Sequence, residues 1–383
     1  MRLPTLDRTD ARLVGWTLAA KLAVLLIGLV AVVFVTGTVG DLLAPWHRWD
    51  APHYTDIAVW GYMAHDPGTL SYSGYGQVYP GDLDLYIVFF PLYPWLVGAV
   101  TFVSGQPILA AFLVSTVASL FVAPITYRLI AADLGHRVGL WGAGFLLVFP
   151  TAYFLHIGYT ESLFLALSFG ALWLARIDRW WAAAVLGTLA GMTRVNGLVL
   201  VPALAVEAYL QWRATGRVRV GQVAAIGAAG IGFAIYLALN LAVYGDPFAF
   251  REIQLDHWYK ELSWPWVGIG GMVESIGRRN PDDAFMLGWM ELAFTALGLV
   301  ATVVGAFRFR PTWTAWMAGN WLLIVGTGFV MSVPRYSLVL FGIMALAGIA
   351  AERWRGLGWV LAAASLTAMA YFAWRFATGL WAF

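Results

Sequence analysis

LVGWTLAAKLAVLLIGLVAVVFV, residues 13–35, decides the fold class. A helix needs about 20 apolar residues to cross the hydrocarbon layer of a bilayer, and this run supplies them. Arg2, Arg8 and Arg12 precede it, as basic residues precede a signal peptide. A secretory signal has an apolar core of only about 7–15 residues, so the run reads as a retained span.

The rest of the 383 residues fit the same solvent. Hydrophobic residues make up 61% and charged ones 11%, against about 25% charged in soluble domains. The charges cluster between apolar stretches. There are 21 tryptophans and 16 tyrosines, residue types that gather at water–lipid boundaries. The absence of cysteine excludes disulfides, thiolate metal sites and a cysteine nucleophile. A net charge of +2 argues for no anionic partner such as a nucleic acid.

Candidate spans follow at 13–37, 108–130, 138–155, 161–175, 181–193, 197–210, 221–244, 286–307, 313–330, 337–350 and 357–376. They predict an all-α polytopic membrane protein with about eleven transmembrane helices in one domain, 1–383. A single span through 182–210 would bury Arg194 in lipid at a cost of several kcal/mol. Two short spans meeting at a polar junction avoid that cost. Basic residues in short loops mark the cytoplasmic side. Arg128 with Arg137, Arg176 with Arg179, the Arg213–Arg219 cluster, Arg308 with Arg310, and Arg353 with Arg355 then all fall inside. The N-terminus is cytoplasmic, and the loops 38–107 and 245–285 are outside. This requires that Phe89–Val103 not cross. Pro91 and Pro94 interrupt a helix there, so the segment is expected to lie at the outer surface or to dip in and return.

The unusual polar residues collect on the outer side. In WHRWDAPHYTDIAVWGYMAH, residues 46–65, Asp50, His53 and Asp56 are spaced by three. On a helix they share a face, opposite Ile57, Trp60 and Tyr62. That pattern suits an amphipathic helix on the membrane surface, with Asp50 just before it as its cap or as a reactive group. Asp50, His53 and Asp56 are also candidate ligands for a divalent cation, and the 41–88 stretch around them is acidic, with Asp41, Asp66, Asp82 and Asp84. In FLHIGYTES, Glu161 opens an apolar helix, where a carboxylate interacts favourably with the helix dipole. His156 in the preceding turn serves the backbone or the site. In TRVNG, Arg194 is odd for a membrane segment, as is Arg335 after Pro334. Each is either salt-bridged to an acid such as Glu161 or Glu291, or placed to grip a phosphate through its two-pronged guanidinium.

At these segments the chain resembles the PIG-V-type mannosyltransferases, which add the second mannose of the glycosylphosphatidylinositol anchor in eukaryotes. The matches are RWDAPHYTDIAVWGY (48–62), FFPLYPWLV (89–97), FPTAYFLHIGYTESLFLALSFGALW (149–173), LAGMTRVNGLVLVP (189–202) and, more loosely, SVPRYSLVLFG (332–342). The resemblance implies a GT-C glycosyltransferase fold and a polyprenyl-phosphate sugar donor. It also implies an aspartate base in the first outer loop, a role that falls on Asp50 through the Trp49–Asp50 pair. By the same carry-over His53, Tyr159, Glu161 and Asn196 belong to acceptor or sugar binding with Asp56 and His156, and Arg194 and Arg335 to the donor phosphate. One departure stands in His156-Ile157-Gly158, where the family often has a serine-like or alanine-like residue.

The expected function is transfer of a mannose or related hexose from a polyprenyl-phosphate donor to a lipid or glycan hydroxyl. It takes place at the outer face of the cell membrane, with no certain cofactor and a divalent cation as an option. The rival class, a transporter or flippase of a lipid-linked or charged solute, would usually carry an internal repeat, and the two halves show none. A non-catalytic scaffold is the third class.

Overall fold

The computed structural model describes residues 7–63 and 83–383; side chains are described from residue 86 onward in the second stretch. Helix α1 (Arg8–Thr36) starts at Asp7, whose carboxylate accepts from the amides of Thr9 and Asp10 while the Asp10 carboxylate accepts from the Asp7 amide. This reciprocal cap satisfies amides that have no partner within the helix. The helix stops at Gly37, at φ 71°. Ten further helices stand where the other ten spans are expected, so the chain is an all-helical membrane protein. They are α4 (Pro107–Leu134), α5 (His136–Leu147), α6 (Glu161–Arg176), α7 (Trp180–Gly191), α8 (Leu200–Thr215) and α9 (Val220–Tyr244), then α13 (Glu291–Arg308), α14 (Pro311–Val325), α16 (Gly342–Arg353) and α17 (Arg355–Ala377). Six helical runs among the described residues are long and apolar enough to cross a membrane unaided, and a seventh counts if the bent pair Val333–Val339 and Gly342–Arg353 is one broken span. The rest are 12–16-residue helices packed among them.

Between the long helices lie shorter elements. These are α2 (Asp50–Trp60) and α3 (Leu92–Ser104), then α10 (Ala249–Trp258), α11 (Pro265–Arg278), the single turn α12 (Pro281–Asp283) and the short α15 (Val333–Tyr336). Small residues let the bundle close. A Cβ on Gly232 of α9 would sit 2.0 Å from the Thr188 carbonyl of α7, so only glycine permits that crossing. At the base, Arg128 of α4 holds buried Asp10 of α1. Arg310 and Thr312 of the α13–α14 end hold buried Glu207 of α8.

Two local expectations need correction. Helix α2 does not lie on the surface, because every residue from Ala51 to Ile57 is buried. It packs against α3, α4 and the 83–88 turn, and His53, expected on the polar side, lies against Tyr86 and Phe89. Nor do Pro91 and Pro94 interrupt a helix. Pro91 caps α3 and Pro94 lies in its first turn, where the missing amide would have had no partner. At about 1.5 Å per residue its 13 residues span less than the hydrocarbon layer. The break at 193–197 is present: α7 ends at Gly191, and a turn of 3₁₀ helix over Val195–Val199 leads into α8.

Candidate functional site

A cavity of about 920 Å³ opens among α2, α10, α14 and the 193–197 and 332–336 turns. Asp50, Arg194, Asn196, Lys260, Arg335 and Tyr336 are on its wall. Asp50 is the first residue of α2. Trp49 before it has φ 55° and makes no side-chain cap. The Asp50 carboxylate, about 32% exposed, accepts from Arg335 Nη1 at 2.6 Å. Capping is therefore not its role. Burial works to raise its pKa, but the charge and hydrogen bond of Arg335 overcome this and hold the carboxyl below the usual range.

Arg335 sits on α15, and its Nε donates to Glu161 Oε1 at 2.5 Å. The same oxygen accepts from Arg194 Nη1 at 2.5 Å, and that Nη1 also reaches the Thr160 hydroxyl at 3.3 Å. Asp50, Arg335, Glu161 and Arg194 thus form one chain of ion pairs, drawn from four separated segments. The alternative of an internal salt bridge is realised for both arginines. For Arg194 it consumes one nitrogen among the described contacts, leaving Nε and Nη2 for a ligand. Glu291 does not pair with an arginine. It is fully buried, and its two oxygens accept from the amides of Ser332 and Val333 at 2.7 Å each. It thereby fixes the start of the turn that carries Arg335.

Of the remaining predicted residues, Asn196 is on the wall and the others stand behind it. Tyr159 is buried and its hydroxyl donates to the Arg48 carbonyl at 2.6 Å, bracing the approach to Asp50. Asn196 donates to Asn320 at 2.9 Å. His53 is buried against Tyr86 and Phe89, with ring centroids 4.5 and 5.0 Å away, and burial pushes its pKa down to about 4. Asp56 is buried too, off the cavity wall, with Oδ1 lacking a hydrogen-bond partner, and burial pushes its pKa up to about 7. His156 is wholly buried with neither ring nitrogen bonded. Lys21 of α1 donates to its backbone carbonyl at 2.8 Å. Among the described residues no group of three or more metal-ligating side chains is assembled. His65, Asp66 and Asp82 lie outside the described residues, as does the side chain of Asp84.

The 193–197 and 332–336 turns and the α2 start carry motif residues, so sequence reading found them. It missed Lys260, which carried no signal beyond a charged outer loop. It also missed Trp381, which packs edge-on against Trp49 at 5.2 Å and lines the cavity.

This arrangement, a polar cavity among apolar helices, is that of a GT-C-fold membrane protein. ArnT from Cupriavidus metallidurans superposes with a TM-score of 0.53 in its form bound to undecaprenyl phosphate, at 15% identity over 93% of this chain and 63% of that one. Its apo form gives 0.52 at 16% identity, over 90% and 61%. The model of the mannosyltransferase (PIG-V) family matches residues 17–242, more than half the chain, and the chain belongs to that family. The GPI alpha-1,6-mannosyltransferase 2 of Cricetulus griseus is 31% identical over 172 residues, which make up 43% of this chain and 31% of that protein. The match thus spans about a third of that relative's length.

Proposed function

We propose that the chain is a glycosyltransferase that moves a mannose, or a related hexose, from a polyprenyl-phosphate donor to the hydroxyl of a lipid or glycan acceptor on the outer face. The observation that carries this reading is the carboxylate of Asp50, half-buried on the cavity wall and held by Arg335. The acceptor oxygen attacks the anomeric carbon and forms the new glycosidic bond. The bond from that carbon to the phosphate oxygen breaks, and polyprenyl phosphate leaves with the electron pair. Asp50 takes the hydroxyl proton. A single displacement of this kind inverts the anomeric centre and needs no protein nucleophile.

The departing phosphate gains negative charge as the bond breaks, so fixed cations at that point lower the barrier. Arg194 faces the cavity with Nε and Nη2 uncommitted. Arg335 contributes only the edge not spent on Asp50 and Glu161. Glu161 and Tyr159 act from behind the wall by holding these groups in register, Asn196 lines it beside Arg194, and His53 packs under the same wall. Apolar residues such as Phe233, Phe248 and Leu323 on the cavity's other side suit the donor's first prenyl units. The basic inner turns support an outward-facing site and a cytoplasmic N-terminus in the cell membrane.

The test is a transfer assay in membranes with labelled polyprenyl-phosphate mannose, with and without the protein. Transfer of label to a membrane acceptor is expected. Uptake of label into vesicles without bond formation would replace the reading with transport.

A further inference from the structure

Three cations surround one ring in the cavity wall. Arg194 lies 5.0 Å from the Tyr336 centroid, Lys260 5.6 Å and Arg335 5.8 Å. Two of the three are neutralised. Arg194 pairs with Glu161, and Arg335 with Glu161 and Asp50. Those four side chains sum to zero. Among the described residues, no carboxylate lies within ion-pairing distance of the Lys260 ammonium. The buried acid beside the group, Glu291, spends both oxygens on backbone amides. Lys260 is therefore the cluster's excess positive charge, and it faces the cavity.

The chain holds Lys260 there by two local devices. Helix α10 ends with Tyr259 at φ 56°. The Lys260 amide donates back to the Gln254 carbonyl at 3.0 Å and the Tyr259 amide to Leu255 at 3.1 Å. This is the reversal that ends a helix through a left-handed residue, a position usually given to glycine. Immediately after Lys260 the backbone pairs with the 326–328 segment. Gly328 donates to Glu261 at 2.9 Å and Ser263 to Gly326 at 3.0 Å, around an antiparallel bridge between Leu262 and Thr327. Lys260 is thus pinned on both sides in a loop that otherwise carries charges of both signs.

We infer that Lys260 binds the phosphate of the polyprenyl donor and of the departing polyprenyl phosphate. It supplies the net positive charge that the neutralised arginines do not. A lysine is a compact point charge and suits a phosphate whose charge rises during the reaction. This inference rests on the glycosyltransferase reading above, and its test separates the two.

The measurement is binding of undecaprenyl phosphate to the detergent-solubilised full chain, with undecaprenol and inorganic phosphate as the other arms. Wild type is compared with Lys260→Met, which keeps the apolar stem on Tyr336, with Lys260→Arg, and with Arg278→Ala as an exposed control in the same loop. Loss of one charge-assisted contact weakens binding roughly tenfold to a hundredfold. Lys260→Met is expected to lose that factor for undecaprenyl phosphate and nothing for undecaprenol. Lys260→Arg should recover most of it, and Arg278→Ala should match wild type. Inorganic phosphate should bind far more weakly than the lipid phosphate. Equal undecaprenyl phosphate affinity in wild type and Lys260→Met, with unfolding temperatures unchanged, overturns the inference and leaves the glycosyltransferase reading standing. Wild type that binds undecaprenol as tightly as undecaprenyl phosphate overturns both. Tight binding of inorganic phosphate that survives in Lys260→Met also overturns the role given to Lys260.

Discussion

Replacing Glu161 by glutamine tests the ion-pair chain at its centre. Glu161 is fully buried, and its Oε1 alone accepts from both Arg194 and Arg335, while Oε2 has no partner. Glutamine keeps the volume and one acceptor oxygen but removes the charge, so the four-residue group passes from neutral to +1 in a buried site. Both hydrogen bonds keep an ionised donor but lose their ionised acceptor. The larger loss is the buried positive charge left uncompensated. Breaking one side of a buried pair costs about 3–5 kcal/mol, and the retained acceptor puts Glu161→Gln near the lower end, about 3 kcal/mol. The assay is reversible unfolding in mixed detergent micelles. Glu274→Gln provides the contrast, because Glu274 pairs with Arg278 on the exposed face of α11 at 52% and 76% exposure. Such surface pairs are worth about 0–1 kcal/mol. The double variant Glu161→Gln/Arg194→Gln restores neutrality and should recover part of the loss. A Glu161→Gln loss no larger than that of Glu274→Gln, or a double variant worse than the sum of its parts, would refute the account of the buried network.

Asp50→Asn keeps size and hydrogen bonding but cannot take a proton, so turnover at saturating substrates should fall by roughly 10²-fold or more. Asp56→Asn, off the cavity wall, should stay close to wild type, and the reverse pattern would assign the base to the wrong carboxylate. Arg194→Lys keeps the charge but loses the two-pronged grip. Its donor KM should rise with the fold intact, whereas an unchanged donor dependence would make Arg194 purely structural. Asp56 also predicts a pH effect. Burial pushes its carboxyl up to about 7, above the ordinary 3.8, so between those values the native chain holds a proton that the unfolded chain has released. Stability falls as pH rises through that window. Asp56→Asn should therefore narrow the difference in unfolding midpoint between pH 5 and pH 8, and an unaltered difference would count against a buried, unpaired carboxylate.

Much of the fold was legible because lipid leaves few options. Apolar length and the arginine pairs at turns such as Arg176 and Arg179 mark the spans, and each expected span holds a helix. What failed was burial within the 38–107 loop. The spacing of Asp50, His53 and Asp56 implied a wet face on α2, yet His53 packs on Tyr86 and Phe89 and Asp56 is buried, and periodicity carries no information about a second partner. Pro91 and Pro94 looked like breaks because a proline's effect depends on its place in the helix, and that place was set by the packing of α3. At the site, the oddness of Arg194 and Arg335 in an apolar chain was a sound signal of function. That both converge on Glu161, one from 33 and the other from 174 residues away in sequence, required the tertiary structure. Lys260 lacked even a local anomaly, as one charge among many in 245–285.

Backbone strain gives an independent reason to regard these residues as one unit. Among the described residues, five non-glycine positions have positive φ: Trp49, Asp178, Tyr259, Ser332 and Phe383. Trp49 immediately precedes Asp50, Tyr259 immediately precedes Lys260, and Ser332 opens the turn of Arg335. Such conformations cost of order 1–3 kcal/mol each and persist only where the surroundings impose them. Here the surroundings can be named. Tyr159 holds the Arg48 carbonyl ahead of Trp49, the α10 reversal and the 326–328 pairing hold Tyr259, and Glu291 holds the Ser332 and Val333 amides. Glycine at any of the three would relieve the strain and add backbone freedom. The chain instead carries a side chain at each, and each of these conformations aims the next charged group into the cavity. A Tyr259→Gly variant should therefore fold at least as well as wild type yet bind undecaprenyl phosphate more weakly, because Lys260 is no longer held in place. If that variant binds as wild type does, the strain at Tyr259 has no part in presenting the lysine.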